Sequence, residues 1–436
     1  MWKRSAWVAL VCGSASVCAS TSCGRINYDG LWDSVFIVST TEDRLAGPDT
    51  IASGFDLAPG TDGISLREAM TMANNSEGSN LILFDAEVFA DGGEAAIVLT
   101  SALPPLVDEF TAIDANDRGV QIVASDAGAI RIEANNTLVE GLDFVSTGAN
   151  AVIAIDAASS VNIRANYFQA ASTSISASGA NQLSITGNEF RNSVGDSIVV
   201  DGANDLFVLG NHFEDLQDRA LRVANATTAT IDDNTLLHVG GTQMTIADST
   251  LVAVNRNSIV IDNKTSQKGV RFERVTESRI CDNFIDPGTA HMVSLDDSSD
   301  NTIEGNILDR GHAGVVLEGE SARNMVIRNV IIESEYDGIY VASTSDDNIV
   351  VHNTIHNASS ALVFSSDSVI QGNNLITNDT DPDFFGYVDA ANYDYQLLPG
   401  SPHIDAGEEL GYDCVPGASE LYWDDAPDLG AVETRR

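Results

Sequence analysis

A pattern that returns about every 23 residues constrains this chain more than any other feature. The segments VNIRANYF, LSITGNEF, LFVLGNHF, ATIDDNTL, VAVNRNSI, SRICDNFI, NTIEGNIL, NMVIRNVI, NIVVHNTI and SVIQGNNL share Asn166, Asn188, Asn211, Asn234, Asn257, Asn283, Asn306, Asn329, Asn353 and Asn373. Three positions before each Asn stands Ile or Val, from Ile163 to Ile370, and two positions after it Phe, Leu or Ile, from Phe168 to Leu375. A β-branched residue, a turn residue that tolerates left-handed backbone, and a second apolar residue describe a strand, a sharp bend and another strand. One bend per repeat is a coil, and coils stacked at a strand separation of about 4.8 Å make a solenoid of parallel sheets. An Asn at the same bend of every coil can bond to the Asn above and below, so a structural amide ladder is expected.

A second inward pair recurs with the same period, running Ile198/Val200, Leu221/Val223, Met244/Ile246, Val270/Phe272, Val293/Leu295, Val315/Leu317, Ile339/Val341 and Leu362/Phe364. It predicts a further sheet of the same solenoid. AIRIEANNTLVEGLDF and NAVIAIDAASS read as two earlier coils, with Leu142 where the Asn belongs. One stretch alone looks helical. In GISLREAMTMANN, Ser65 and Glu68 form a capping box, and Leu66, Ala69, Met70 and Ala73 share a face. A solenoid's end coils expose core and unpaired edges, so this helix is expected to act as a lid on the first coils.

The expected organisation is an export signal over 1–22, a linker over 23–45, an N-terminal cap region over 46–125 with its helix at 65–74, a parallel β-helix of about twelve coils over 126–377, and a C-terminal cap over 378–436. The start of the chain, MWKRSAWVALVCGSASVCASTSC, has basic Lys3 and Arg4, an apolar run too short to span a membrane, and a small-residue stretch. Its end, STSC, resembles the lipobox of bacterial lipoproteins, with Ser20 where Leu or Val is usual. The resemblance implies that Cys23 is the lipidated first residue and that the protein meets a membrane only through this anchor, at the outer membrane or cell surface; ordinary signal cleavage and secretion is the alternative. Signal removal leaves Cys23, Cys281 and Cys414, which form neither a disulfide framework nor a metal spacing, and Cys281 and Cys414 are expected to be minor thiols.

Two further stretches resemble known families. Ser65-Leu66-Arg67-Glu68-Ala69 with Ala73-Asn74 is similar to the bacterial domain named for its Cys-Ser-Leu-Arg-Glu-Ala motif, with Ile64 in place of the Cys. The tail, with Asp381-Pro382, Asp394, Leu397, Ser401-Pro402, Ile404-Asp405, Gly407, Asp428, Gly430, Ala431 and Glu433, resembles the C-terminal signature of choice-of-anchor surface proteins. Both imply an all-β, right-handed parallel β-helix outside the cytoplasm, and neither implies an activity.

The 64 acidic against 22 basic residues give a net charge of -42, which repels phosphate backbones and excludes nucleic acid as a partner. Clustered carboxylates could hold calcium, yet no EF-hand loop or glycine-aspartate nonapeptide array is present, and no metal or cofactor is expected. The exposed face of a β-helix sheet suits an extended polymer, so polysaccharide is the expected partner. Aligned on the second inward pair, outward residues stack into columns: Arg219, Thr242, Lys268, His291, Ala313, Asp337; Val199, Arg222, Thr245, Arg271, Ser294, Val316, Tyr340; and Asp201, Ala224, Ala247, Glu273, Asp296, Glu318.

The leading expectation is a surface protein with a structural or carbohydrate-binding role, with Arg271, Asp296 and Tyr340 as ligand contacts. The alternative is a polysaccharide lyase or glycoside hydrolase with Lys268, His291, Glu273 and Glu318 as candidate catalytic groups. A lyase needs a cation for the uronate carboxylate and a nearby base. An inverting hydrolase could use Glu273 and Glu318, two coils or about 9.6 Å apart. LDD at 295–297 and RGHAG at 310–314 resemble polygalacturonase motifs, but the Asn-Thr-Asp and Arg-Ile-Lys partners are absent. Salt bridging of Arg271 and Arg274 to neighbouring acids is the structural explanation for the locally cationic stretch from Asp262 to Arg279.

Overall fold

The computed structural model describes residues 32–44, 63–90, 95–116, 119–124, 126–146, 148–261, 267–286, 290–377, 387–389 and 394–397. The export signal, Cys23, Lys264, Cys414 and most of the expected C-terminal cap lie outside the described residues. The chain forms two units, 1–212 and 213–436.

In the second unit each coil supplies one strand to each of three parallel sheets. The first sheet runs from Ala229–Asp232 through Val252–Asn255, Arg279–Cys281, Thr302–Glu304, Met325–Ile327 and Ile349–Val351 to Ile370–Gly372. The second, entered after the Asn bend, runs from Thr235–Leu237 to Leu375–Thr377. The third runs from Leu221–Ala224 to Ser360–Phe364 and carries the second inward pair, with Met244 against Val270 and Ile246 against Phe272, as the repeat requires.

The first unit winds the same way, and its first sheet begins at Ser34–Val38, followed by Asn80–Phe84 and Thr111–Asp114. The core is stacked by residue type. Phe144, Phe168 and Phe190 lie face to face with ring centres 5.1 and 5.0 Å apart. Each such fully buried side chain contributes roughly 1.5–3 kcal/mol.

The one helix among the described residues, α1, spans Leu66–Asn74. Ser65 Oγ accepts the Glu68 N–H at 3.1 Å, and Glu68 Oε2 accepts the Ser65 N–H at 2.8 Å, so the capping box is formed. Leu66, Ala69, Met70 and Ala73 are fully buried, and α1 packs on the strands Ser34–Val38 and Asn80–Phe84. The Arg67 guanidinium is buried beside it, held by Asp43 at 2.7 Å and by the carbonyls of Ser101 and Ala102. Helix α1 covers core, and among the described residues Ser34–Val38 is the terminal strand of the first sheet, with Val35 and Ile37 on its outward face each 47% exposed.

The ladder is present and its mechanics differ from the expectation. The residue before each Asn takes the left-handed conformation, as at Ala165, Asp233, Arg256, Asp282 and Arg328, all with φ near 50°. The Asn itself is buried. Asn306 accepts the Asn283 N–H and Nδ2–H at 3.0 and 2.9 Å, and donates its own amide to Asn329 Oδ1 and to the Ile280 and Glu304 carbonyls. Leu142 does stand in the Asn slot, where its backbone N–H donates to Asn166 Oδ1 at 3.0 Å.

The last coil corrects the sequence alignment. Asn374, not Asn373, accepts from Asn353 at 3.0 Å, while Asn373 takes the left-handed position. Ile370 therefore pairs with Ile349, faces outward and is 62% exposed, and Gln371 stands opposite the inward Val350. The doubled Asn permits both registers, and the one adopted makes the last step 21 residues, nearer the period. A one-residue slip turns every side chain of a strand to its other face.

Asn306→Asp removes every amide donor from a fully buried ladder position and is expected to cost about 1–3 kcal/mol. Denaturant unfolding checks this, and an unchanged midpoint at neutral pH speaks against a stabilising ladder.

Candidate functional site

The outward columns predicted for the third sheet exist in the second unit. Arg222, Thr245, Arg271, Ser294, Val316 and Tyr340 are successive register partners. So are Ala247, Glu273, Asp296 and Glu318. His291 opens the strand His291–Asp296 and pairs with Ala313, which pairs with Asp337.

The charges on this face largely answer one another. Lys268 Nζ reaches Glu318 Oε1 at 3.1 Å and the buried Ser294 hydroxyl at 3.2 Å. Arg271 pairs with Glu273 at 2.5 Å and with Asp296 at 3.3 Å. Arg274 is clamped by Asp248 at 2.6 Å. The three carboxylates of the outer column thus each have a cation, which is the salt-bridged arrangement that base rates favour for surface charge.

His291 sits beside the Lys268–Glu318 pair, half-buried, with Nδ1 shielded from water and without a hydrogen-bond partner. Its pKa is held below the ordinary imidazole value, first by burial, then by the Lys268 charge and His312, with Glu318 opposing. The ring is therefore a neutral imidazole near pH 7, able to accept a proton.

One residue earlier in each coil lies a column that the sequence reading passed over. His312 donates its N–H to the Ala290 carbonyl, and Tyr336 donates its N–H to the His312 carbonyl, so the two side chains neighbour each other along the stack. Their rings lie 4.0 Å apart and nearly parallel, and Tyr336 is 54% exposed. Glu335 Oε2 stands 3.6 Å from His312 Nδ1, and burial raises the pKa of the adjacent Asp337 carboxyl, partly opposed by His312. His291 and His312 have ring centres 6.3 Å apart. The signal was in RGHAG, where His312 precedes the aligned column position, and in EYDG, where Tyr336 does.

Tyr340 is not part of this group. It is half-buried between Val316 and Val363 in its own column, and among the described residues it makes no hydrogen bond or ring contact with the other candidates.

Comparison with known proteins agrees with this winding. Residues 128–285 match the family model described as right handed beta helix region, and residues 288–390 match the one described as periplasmic copper-binding protein (NosD). The fold is thus a right-handed parallel β-helix. Among solved structures, an alginate lyase is 10% identical with a TM-score of 0.46, covering 78% of this chain and 86% of its own. The A-module of a mannuronan C-5 epimerase from Azotobacter vinelandii is 11% identical with a TM-score of 0.41, covering 71% and 90%. A pectate lyase is 13% identical with a TM-score of 0.36, covering 93% and 97%. No curated protein sequence matches.

Among the described residues, no cluster of His, Cys, Asp and Glu side chains answers to the copper in the second description. Copper is held by convergent imidazole and sulfur ligands. His352 sits at a first-sheet bend and His356 at the end of a second-sheet strand, away from the face of His291 and His312. Among the described residues no three His, Cys, Asp or Glu side chains converge on one point.

The lowered His291 pKa has a consequence for stability. Its neutral form is preferred in the fold, so its stabilising contribution is complete above pH 6.5 and is lost as pH falls below that value toward the folded pKa. His291→Gln is expected to lose less thermal stability than the parent between pH 7 and 5. Equal losses measured by thermal unfolding would remove His291 as an acid-sensitive group.

Proposed function

We propose that this chain is an exported β-helix surface protein that binds a polysaccharide on the third-sheet face of its second unit. The observation that carries the reading is the ring of Tyr336, more than half exposed and backed by His312, with the carboxylates of Glu335 and Asp337 beside it. A pyranose has an apolar face of C–H groups that an aromatic ring can cover, and a rim of hydroxyls that carboxylates can accept from. The cations expected to receive a uronate, Lys268 and Arg271, are occupied by Glu318, Glu273 and Asp296. A neutral, hydroxyl-rich glycan fits this face better than a polyuronate.

Export is supported by Cys281, which is disulfide-bonded rather than a free thiol as the sequence suggested. Such bonds persist mainly outside the cytoplasm. The basic-then-apolar start of the chain and the likeness of its helix motif and tail to surface proteins support the same placement. Cys23 is the proposed lipid anchor, and no helix among the described residues is long and apolar enough to cross a membrane.

One observation favours a second reading, a uronate lyase. His291 is a neutral base next to a lysine, and a polyuronate could draw Lys268 from Glu318 to its own carboxylate while His291 takes the adjacent proton.

A screen of the mature protein against neutral and uronate glycans separates the two, reading affinity together with absorbance of new double bonds. Tyr336→Ala is expected to weaken binding about tenfold, equivalent to about 1.4 kcal/mol, with Lys268→Ala nearly neutral. Turnover abolished by His291→Ala would favour the lyase. Affinity indifferent to Tyr336→Ala would sink the binding face.

A further inference from the structure

Basic residues are scarce in this chain, 22 among 436, yet four of them flank one coil on the third-sheet face of the second unit. That coil carries the strand Met244–Ala247, and its outward Thr245 has Arg222 as register partner on one side and Arg271 on the other. Just before the strand, Thr242 stands in the same way between Arg219 and Lys268: the Gln243 carbonyl accepts the Ala220 N–H, and the Gln243 N–H donates to the Lys268 carbonyl. The outward positions of the middle coil are thus Thr242, Thr245 and Ala247, with two cations in the coil before and two in the coil after.

The carboxylates that answer these cations lie off the middle coil. Lys268 reaches on to Glu318, and Arg271 to Glu273 and Asp296. Arg219 has its sequence neighbour Asp218 at 4.0 Å, and Asp248, which follows Ala247, is taken by Arg274. In the outer column, where later coils carry Glu273, Asp296 and Glu318, the two earlier coils of this unit carry Ala224 and Ala247. Arg222 is exposed, and among the described residues it has neither an ion-pair partner nor a hydrogen-bond acceptor. The Arg271 Nε–H is shielded from water and also lacks an acceptor.

A guanidinium offers paired N–H donors that match an oxyanion, and a hydroxyl between two of them adds a further donor. The strands of Arg222 and Arg271 are two coil steps or about 9.6 Å apart, a gap that both long side chains can close over Thr245. Thr245 is 6% exposed and forms the floor between them. Further along the face a second anion would meet Glu273, Asp296 and Glu318, and then Glu335 and Asp337 beside Tyr336. One negative charge is favoured at the Thr245 coil, while a run of charges is repelled beyond it. From the strand of Thr245 to that of Tyr340, which follows the Tyr336 corner, there are four coil steps, about 19 Å.

We infer that the coil of Thr242 and Thr245 is an anion subsite, in which Arg222 and Arg271 hold a single carboxylate or sulfate substituent of an otherwise neutral glycan over the Thr245 hydroxyl. The polymer in this inference rests on the glycan-binding reading above, whereas the anion subsite needs no contribution from Tyr336. The ligand class is a sparsely charged heteropolysaccharide, with its acidic substituent about 19 Å along the chain from the sugar that covers Tyr336. This accounts for a face on which most cations are already answered by carboxylates and one arginine is not.

Inorganic sulfate probes the subsite without any glycan. Compared with sodium chloride at equal ionic strength, it should raise the melting temperature of the wild type more than that of Arg222→Ala, because the general salting effect is common to both. An equal rise in the two proteins overturns the subsite, whatever the polymers do. For the polymer, hydroxyethyl cellulose serves as the neutral probe, and celluloses of low carboxymethyl or low sulfate substitution as the charged ones. At low salt the wild type should bind one of the charged polymers about tenfold more tightly than the neutral one, and the polymer that gains identifies the anion. Arg222→Ala should abolish the gain and leave affinity for the neutral polymer unchanged; Arg222→Lys should keep part of it. Tyr336→Ala should weaken all three polymers by the same factor. A gain that Arg222→Ala removes and Tyr336→Ala leaves untouched sinks the aromatic face and upholds the subsite. Binding that depends on Tyr336 and gains nothing from charge does the reverse. Polygalacturonate bound more tightly than either sparsely charged cellulose overturns the single-charge ligand.

Discussion

The buried carboxamide stack is the interaction on which the rest of this molecule depends. A solenoid must turn a corner in every coil, and a corner leaves backbone groups without strand partners. Each ladder Asn meets that need twice, accepting a backbone N–H and an amide from the coil before and donating to carbonyls of its own and preceding coils. Because every Asn is satisfied only by its neighbours, coil spacing and register are fixed together. This is why steps of 21 to 26 residues are tolerated while the bend stays in place.

The same logic explains which parts of the fold could be read in advance. The period, the three-strand coil, the capping box at Ser65 and the Leu142 slot follow from residue types at fixed offsets, and all are present. The slip at Asn373 and Asn374 was invisible because two adjacent Asn satisfy one pattern equally. A second ladder escaped notice for a different reason. Asn301, Asn324 and Asn348 stack at another bend, and Ser249, Ser278, Ser298 and Ser321 supply hydroxyls to N–H groups near it. Serine and asparagine share the work there, so no single letter recurs often enough to mark the position.

The face was less legible than the fold, although its columns were correctly aligned. Alignment says which side chains share a surface, but not how far a flexible lysine reaches. Lys268 spans two coils to Glu318, and Arg271 takes two carboxylates, so residues that looked like free catalytic groups are one another's partners. The aromatic group that does stand free of such pairing, Tyr336, comes from the corner before the strand, one position outside the alternation used to choose candidates. Corners break the inward–outward period, and their side chains are placed by local backbone rather than by strand pleat.

Charge and end protection are linked in this molecule. A chain carrying -42 resists association through its broad surfaces, because like charges repel at close approach. Repulsion of that kind is weakest where charge is scarce, and exposed apolar side chains include Val35 and Ile37 on the first described strand and Ile370 and Ile376 on the last coil, besides Val194, Phe207 and Leu251 along the stack. A parallel stack can be extended by any chain that offers another strand, so these ends are the places where covering matters most. Helix α1 closes core beside Ser34–Val38, which is the terminal strand of the first sheet among the described residues.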